Sequence, residues 1–282
     1  MRLCPVPLVI ILTFGVTPVA AQTTPAEPQQ TTPVDQQPPS PAPEEQKKEP
    51  APQHVSTNWR TLLKDTAKDF VAFPKRKSTW VLLGIGAASA LAVHPADDYV
   101  ESHIVGNDVA DRIFSLGKIA GHTYTQVGTA VGLWAVGRYV IAPAENEPRT
   151  NKYSEIGFDL MRAQAVSQVI AHSMKKAFRR DRPTGECCAF PSGHAASAFA
   201  AAAVLERHLG YRASWPAIAG AMYVATSRLV DNQHFLSDVM FGAAVGTAAG
   251  WTVVGMRGRN SFQIQPVPVD GGMMIAFVHV PR

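Results

Sequence analysis

Apolar residues recur along this chain in long stretches that polar segments interrupt. Trp59, Leu62 and Phe70 fall on roughly one face of a helix with charged residues opposite, which predicts an amphipathic helix at the start. A second amphipathic segment, at about 98–117, lies between the first two apolar stretches. Six such stretches occur, near residues 80–94, 119–142, 156–174, 194–209, 215–230 and 238–256. Their length and spacing predict an all-α fold.

Alanine, glycine and valine dominate the six stretches, and small side chains let helices approach closely, as they do in membrane bundles. A bilayer crossing needs about 20 mostly apolar residues. Several stretches are shorter than that or contain charges, at Arg138, Arg162, Glu206 and Arg207. We therefore favour a membrane bundle and keep a tight soluble bundle as the alternative.

Both ends of the chain differ from this helical middle. Residues 1–21 combine one arginine, an apolar run and small residues before a possible cleavage point, the pattern of a secretory signal peptide. Residues 22–54 are rich in Gln, Pro, Thr and Glu, so we expect a disordered tether. Residues 55–258 then form the helical domain, and residues 259–282 are predicted to form a short C-terminal β-hairpin.

Charge and cysteine content narrow the choice of partners. The net charge is +4, and five cations lie together in KKAFRRDR, residues 175–182, which indicates a solvated face or a membrane-surface contact. Nucleic acid is not expected as a partner, because no base-recognition motif accompanies the run and the protein is predicted to be exported. Cys187 and Cys188 are adjacent, which predicts no disulfide framework, and we interpret them as two small half-buried residues. No set of metal ligands is evident.

Three polar segments carry the candidate chemistry. In SRLVDNQHFLSD, residues 227–238, His234 and Asp238 are four positions apart. In a helical turn the carboxylate would fix the imidazole tautomer and leave the other ring nitrogen nucleophilic. Arg228 offers a planar fork for an oxyanion. Taken alone, an aspartate-paired histidine at a helix start is more often a cap or a surface pair.

The second segment, PSGH, ends at His194 and stands directly before the fourth apolar stretch. This places Ser192 and Gly193 at a helix N-terminus, where N–H groups without helical partners and the helix dipole favour an anion. Glycine also lets the backbone approach a ligand closely. An ordinary helix cap explains the segment equally well when it is considered alone.

The third segment, KKAFRRDRP, supplies Lys175 and Arg182, and Pro183 ends the helix that precedes it. Together the segments provide three cations, an anion-binding helix start and two histidines. Phosphoryl transfer needs these groups, because three equatorial oxygens must be neutralised, phosphorus attacked in line and the leaving oxygen protonated.

In this order, and with no residue missing, the three segments resemble the signature segments of the type 2 phosphatidic acid phosphatase and vanadium haloperoxidase superfamily. They read Lys175-x6-Arg182-Pro183, Pro191-Ser192-Gly193-His194 and Ser227-Arg228-x5-His234-x3-Asp238. The similarity extends over roughly residues 80–256. It implies a six-helix bundle of the phosphatidic acid phosphatase type.

The resemblance also implies roles. His234 would be the nucleophile that forms a phosphohistidine, Asp238 would orient it, and His194 would be the general acid. The phosphate would be bound by a remaining set, Lys175, Arg182, Ser192, Gly193 and Arg228. Neither a metal nor another cofactor is implied, because the cations and backbone amides stabilise the charge.

Other polar residues near these segments receive no role. Lys176 does not fit the family spacing, and Arg179 and Arg180 are interpreted as an exposed helix face. His122 and His172 lie in apolar stretches and are interpreted as satisfied core or interface histidines.

The function expected from the resemblance is an exported phosphatase that hydrolyses a phosphate monoester or pyrophosphate of a lipid, such as phosphatidate or an isoprenyl diphosphate, at the membrane. A soluble periplasmic acid phosphatase of broad specificity, a vanadium-dependent haloperoxidase and a membrane protein with a vestigial site are the alternatives. If all six stretches crossed a bilayer, the site and the tether would lie on opposite sides. A signal peptide would place the tether outside and therefore the site in the cytosol, whereas many members of the superfamily act on the outer face. Three arrangements would avoid this conflict: the first segment is not a signal, one stretch does not span, or the bundle is soluble in the periplasm.

Overall fold

A computed structural model describes residues 57–141 and 150–255, together with the backbone of two strands at 261–269 and 272–280. The predicted signal peptide and tether lie outside the described residues. The helices are α1 (Trp59–Ala72), α2 (Lys77–Val93), α3 (Asp97–Ile104), α4 (Asp108–Phe114), α5 (Gly117–Ala120), α6 (Thr123–Ala135), α7 (Lys152–Phe178), α8 (Gly193–Leu209), α9 (Tyr211–Val230) and α10 (Leu236–Val254). Strands β1 (Ser261–Val269) and β2 (Gly272–Val280) pair antiparallel, with Val269 opposite Gly272.

The predicted helical class is confirmed in the described part of the chain. The count of six helices stays a prediction. The C-terminal hairpin, whose side chains are not described, also stays a prediction. The predicted amphipathic segment at about 98–117 contains two helices, α3 and α4, because Gly106 has a φ of +76° and the Asn107 side chain accepts from two following N–H groups to begin α4. The stretch at 119–142 is likewise divided into α5, α6 and a π-helical turn at Val136–Val140.

The long helix α7 delivers the basic segment to the site. Asn151 caps its first turn by accepting from the N–H groups of Tyr153 and Ser154. The helix continues for 27 residues and ends at Arg179, whose left-handed φ of +48° stops the helical hydrogen-bond pattern. Lys175 and Lys176 therefore lie in the last turn of α7, and the three arginines of the segment lie beyond its end.

Helix α10 packs against α8 along a row of glycines, Gly242, Gly246 and Gly250. A Cβ at Gly242 would lie 2.6 Å from the carbonyl oxygen of Ser192, which is too close for any side chain. The two backbones are therefore in direct contact, in the way that small residues allow between closely packed helices. This contact brings the first turn of α8 and the first turn of α10 together.

A buried polar cluster joins α1 to α7 and α8. Arg162 donates through Nε and Nη2 to the two oxygens of Asp69, each at 2.8 Å, and through Nη1 to Asp159 at 2.8 Å. His208 Nε2 lies 2.9 Å from the other oxygen of Asp159. Burial raises the pKa of Asp69 to about 6, although the Arg162 guanidinium opposes this shift. The charge at Arg162 thus sits inside the bundle and has partners there.

Among the described residues, one helical segment, Lys77–Ile104, is long and apolar enough to cross a membrane by length and composition. It comprises α2, a 3₁₀ turn and α3. Its large apolar side chains face outwards, since Trp80, Val81, Ile85 and Leu91 are all more than half exposed. The other apolar stretches do not meet the same test within the described residues.

Replacing Arg162 by methionine is expected to lower the free energy of unfolding by about 3–5 kcal/mol, because Asp69 would stay buried without its cation. The measurement is denaturant unfolding of the purified full chain, followed by tryptophan fluorescence. Lys68→Met is the control, since it removes an exposed ion pair with Asp65 and should cost less than about 1 kcal/mol. Equal effects of the two substitutions would contradict the assignment of the Arg162 cluster as a stabilising element.

Candidate active site

The three polar segments converge at one end of the bundle. The loop after α9 leads into α10, and the segment before α8 lies against it, because the Ser192 N–H donates to the Asp238 carbonyl at 3.0 Å. The end of α7 completes the group, since a Cβ at Gly193 would lie 3.9 Å from Cε of Lys175. The structure thus brings the three segments together, as the sequence analysis predicted.

His234 and Asp238 form the centre of the site. Asp238 is fully buried, and His234 is 5% exposed. His234 Nδ1 lies 3.7 Å from Asp238 Oδ2, and the same oxygen accepts from the Phe235 N–H at 3.0 Å. His234 itself precedes α10, which begins at Leu236. The pair therefore meets because Asp238 caps the start of the helix, and the imidazole stands in the turn before it.

His194 is the second residue of α8. Its Nε2 is buried and has no hydrogen-bond partner among the described residues. Burial lowers the pKa of His194 to about 3, and Arg228, His234 and further nearby positive groups act in the same direction. The two imidazoles thus lie near each other in a buried, electropositive space, and His194 is neutral in this state of the protein.

The predicted cations surround the two histidines. Lys175 Nζ donates to the carbonyls of Cys188 and Ala189, at 2.7 and 3.1 Å. Burial and the neighbouring Arg182 lower the pKa of Lys175 to about 8 and that of Arg228 to about 10. Burial also lowers the pKa of His234, with Asp238 opposing the shift and Lys175 and Arg182 adding to it. Together these pKa shifts indicate that several positive charges lie close together in a region with little solvent.

Two of the arginines retain buried N–H groups that have no hydrogen-bond partner within the part of the chain that the structure describes. Arg228 is 3% exposed and forms an ion pair with Asp231, yet its Nε is buried and has no hydrogen-bond partner among the described residues. Arg182 donates from Nη1 to Gln233 at 2.5 Å, while its Nε is also buried and unpartnered. Buried donors are nearly always satisfied in folded proteins. These donors therefore suit an oxyanion.

Ser192 and Gly193 form the start of α8, as the sequence predicted. The Ser192 hydroxyl is buried and accepts from the Ala195 N–H at 3.4 Å, so it caps the helix. The Gly193 carbonyl accepts from Gln168 Nε2 at 2.9 Å. The contact of either residue with a phosphate stays a prediction.

Several site residues were missed or interpreted wrongly from the sequence. Arg180 was interpreted as part of an exposed helix face, but it donates to Asp97 and Asp238. His122 was interpreted as a core residue, but it is exposed and its ring centroid lies 6.0 Å from that of His194. His172 is also exposed. Position in an apolar stretch was misleading for both histidines, because His122 caps α6 and His172 lies on the outer face of α7.

Cys187 and Cys188 form a vicinal disulfide in the loop between α7 and α8, and Cys187 is exposed rather than half-buried. The carbonyl of Cys188 is one of the two that hold Lys175. Within the described ranges, no group of three or more His, Cys, Asp or Glu side chains could hold a metal ion.

Comparison with known proteins agrees with the resemblance seen in the segments. Residues 184–262 match the family model of the PAP2 superfamily. The chain is 44% identical over 80 residues to a lipid A 1-phosphatase of Porphyromonas gingivalis, which covers 27% of this chain and 18% of that protein. It is 33% identical over 92 residues to a lipid A 4'-phosphatase of Helicobacter pylori, covering 28% and 46%. The chain thus spans less than half the length of these curated relatives.

A solved structure gives the same fold. It is that of a transmembrane PAP2 type phosphatidylglycerolphosphate phosphatase from Bacillus subtilis, with a TM-score of 0.51 and 20% identity, covering 64% of this chain and 94% of that one. The match of residues 184–262 to the family model confirms the superfamily resemblance predicted from the three segments, and the solved structure supports the fold.

Anion binding at this site is expected to take up a proton. Burial and nearby positive charges lower the pKa of His194 from its ordinary value to about 3. An oxyanion beside His194 would counter the positive charges and raise this pKa, so a larger fraction of the imidazole would be protonated in the complex. Sulfate is a suitable probe, because it does not itself titrate in mildly acidic buffer. Calorimetry in buffers of different ionisation enthalpy should show proton uptake, and sulfate affinity should rise as the pH falls.

The control for this prediction is a second histidine. His194→Asn should abolish the proton uptake, whereas His172→Asn, which changes an exposed histidine on α7, should leave it intact. Sulfate binding without proton uptake in the unmodified protein would show that His194 does not face the anion.

Proposed function

We propose that this protein is a phosphatase that removes phosphate from a lipid, either from a monoester or from a pyrophosphate, by way of a phosphohistidine. The observation that carries the proposal is the convergence of His234, His194 and buried N–H donors without partners on Arg182 and Arg228. An anion of tetrahedral shape with several acceptor oxygens would satisfy these donors.

The reaction follows from the placement of the histidines. Nε2 of His234 attacks phosphorus in line with the leaving oxygen, while Asp238 holds the Nδ1 side of the ring. The bond between phosphorus and the leaving oxygen breaks, and that oxygen takes the proton of His194. Water then attacks the phosphohistidine and gives up a proton to His194, which releases phosphate and restores both imidazoles.

The cations and the start of α8 stabilise the transition state in this proposal. Lys175, Arg182 and Arg228 neutralise the three equatorial oxygens, and the N–H of Gly193 adds the helix N-terminus. The dianionic substrate also supplies the charge that allows His194 to be protonated before it acts as an acid. Substrate binding and general-acid catalysis are thus coupled through one pKa.

A lipid is favoured as the carrier of the phosphate for two reasons. The curated relatives are named as lipid A phosphatases, and the solved structure with this fold is named as a phosphatidylglycerolphosphate phosphatase. In addition, the apolar segment Lys77–Ile104 includes α3, whose first residue, Asp97, accepts a hydrogen bond from Arg180 beside the site. A membrane location for the site fits both observations.

Replacement of His234 and replacement of His194 are expected to impair different parts of the reaction. His234→Asn should lower kcat on the order of 10³-fold or more and abolish the acid-labile phosphoenzyme, because the nucleophile is lost. His194→Asn should slow formation of the phosphoenzyme by about 10²–10⁴-fold for an alkyl phosphate but much less for p-nitrophenyl phosphate, whose leaving group needs no proton. Hydrolysis of the phosphoenzyme, in which His194 acts as the base, should slow equally for both substrates.

Steady-state kinetics with both substrates, and quenched reactions with ³²P-labelled substrate, make this comparison. His172→Asn serves as the matched control and should match the unmodified protein with both substrates. Phosphoenzyme formation that is equally impaired for the two leaving groups in His194→Asn would remove His194 from the general-acid role.

The nature of the carrier is tested by a substrate panel. Phosphatidate, an isoprenyl diphosphate and lipid A in mixed detergent micelles should each be compared with glucose 6-phosphate. We expect kcat/KM for at least one lipid to exceed that for the sugar phosphate by about tenfold or more, because remote apolar binding energy contributes to the rate. Equal values would favour a soluble acid phosphatase of broad specificity, and bromide oxidation with vanadate and peroxide would favour a haloperoxidase.

A further inference from the structure

Arg180 links the catalytic carboxylate to an acid from a distant part of the chain. Its Nη1 donates to Asp238 Oδ1 at 2.8 Å and to the hydroxyl of Ser237 at 2.7 Å. Its Nη2 donates to Asp97 Oδ2 at 2.9 Å. The guanidinium is therefore shared between two carboxylates, and one of them is the partner of His234.

Asp97 also fixes the first turn of α10. One of its oxygens accepts from the Ser237 N–H at 2.9 Å, and the other accepts from the Ser237 hydroxyl at 2.6 Å. The residue is 3% exposed, although it is the first residue of α3 and follows the apolar helix α2. An acid from outside thus satisfies an N–H that α10 cannot satisfy by itself.

These contacts orient the carboxylate of Asp238. Arg180 holds Oδ1, and the Phe235 N–H holds Oδ2, which is the oxygen that faces His234 Nδ1 at 3.7 Å. With both oxygens held, the carboxyl plane cannot rotate away from the imidazole. The planar guanidinium suits this task, because it donates in fixed directions to two acceptors at once.

Arg180 differs in this respect from the arginines that face the anion site. Its Nη1 and Nη2 are committed to oxygens of its own chain, and its guanidinium carbon lies 4.3 Å from the ring centroid of Phe235. Arg182 and Arg228, by contrast, keep buried N–H groups without partners within the described ranges. Two opposing carboxylates also neutralise Arg180, which leaves it little attraction for a phosphate.

We propose that Arg180 and Asp97 are positioning residues, which act through Asp238 to hold the His234 imidazole in the tautomer and orientation needed for attack. This inference rests on the proposed function. Without the two residues, Asp238 would still be present but free to turn, and the imidazole would sample unproductive orientations. The rate of attack would fall, whereas the binding of substrate would not.

The experiment measures kcat and KM for p-nitrophenyl phosphate with the purified full chain. Arg180→Gln is expected to lower kcat by about 10- to 100-fold, the usual cost of losing a group that orients a catalytic side chain, with KM changed by less than about threefold. Asp97→Asn should lower kcat in the same direction. The double variant should be no worse than Arg180→Gln alone, because the two residues act through a single chain of contacts.

Neighbouring residues of the same charge provide matched controls. Arg179→Gln removes a cation next to Arg180, and Asp98→Asn removes an exposed acid next to Asp97. Both controls should keep kcat and KM of the unmodified protein. Unchanged kcat in Arg180→Gln, a rise in KM alone, or additive losses in the double variant would each overturn the inference.

A second measurement does not depend on turnover. The ¹⁵N shifts of His234, identified by their absence in His234→Gln, should show Nδ1 protonated and Nε2 unprotonated in the unmodified protein. In Arg180→Gln the two tautomers should mix. If the unmodified protein hydrolyses no phosphoester, the proposed function fails. The inference about Arg180 is then decided by these shifts alone, and an unchanged tautomer in Arg180→Gln would overturn it.

Discussion

Crowding of positive charge in a buried space is the constraint on which the site depends. Burial lowers the pKa values of Lys175, Arg228, His194 and His234, and neighbouring cations add to the effect: Arg182 acts on Lys175, Arg228 and His234, and Arg228 acts on His194. Such an arrangement is unfavourable in the absence of an anion, because solvent neither reaches nor screens the charges fully. The folded bundle has to hold the cations together against their repulsion. An oxyanion would relieve this repulsion, which is the physical basis of the proposed phosphatase function.

The packing of α8 against α10 holds the first turns of these two helices, which carry the histidine and the aspartate of the site, in a fixed relative position. Gly242 allows the backbone of α10 to touch the backbone at Ser192, and the Ser192 N–H donates to the carbonyl of Asp238. The helix start that favours an anion and the helix start that carries Asp238 are thus joined by backbone contacts rather than by flexible side chains. Backbone contacts of this kind leave little freedom for the two histidines to separate, and preorganised dipoles need no rearrangement during the reaction.

The three segments and the resemblance that they carry predicted which residues lie together at this end of the bundle, but not the contacts that support them. Asp238 follows His234 by four positions, so their meeting is a local event, and the sequence shows it. Asp97 contacts Ser237 from 140 positions away, and nothing in its neighbourhood marks it as different from Asp98. Which of the two acids turns inwards depends on how α3 packs after α2. The break at Gly106 was equally hidden, because the apolar pattern continues through it.

The basic segment at the end of α7 shows how one run of like residues divides into different tasks. Arg179 ends the helix with a left-handed φ and remains exposed, while Arg180 turns inwards to two carboxylates. Arg182 lies beyond the helix, where its Nη1 donates to Gln233 at 2.5 Å and to the exposed Glu186 at 3.4 Å, while its Nε stays unpartnered within the described residues. Buried carboxylates hold both terminal nitrogens of Arg180, whereas Arg182 and Arg228 each keep a buried N–H that has no partner among the described residues. The contacts that each guanidinium makes, rather than the residue type, therefore distinguish the arginine that holds Asp238 from the two that we propose to bind the anion.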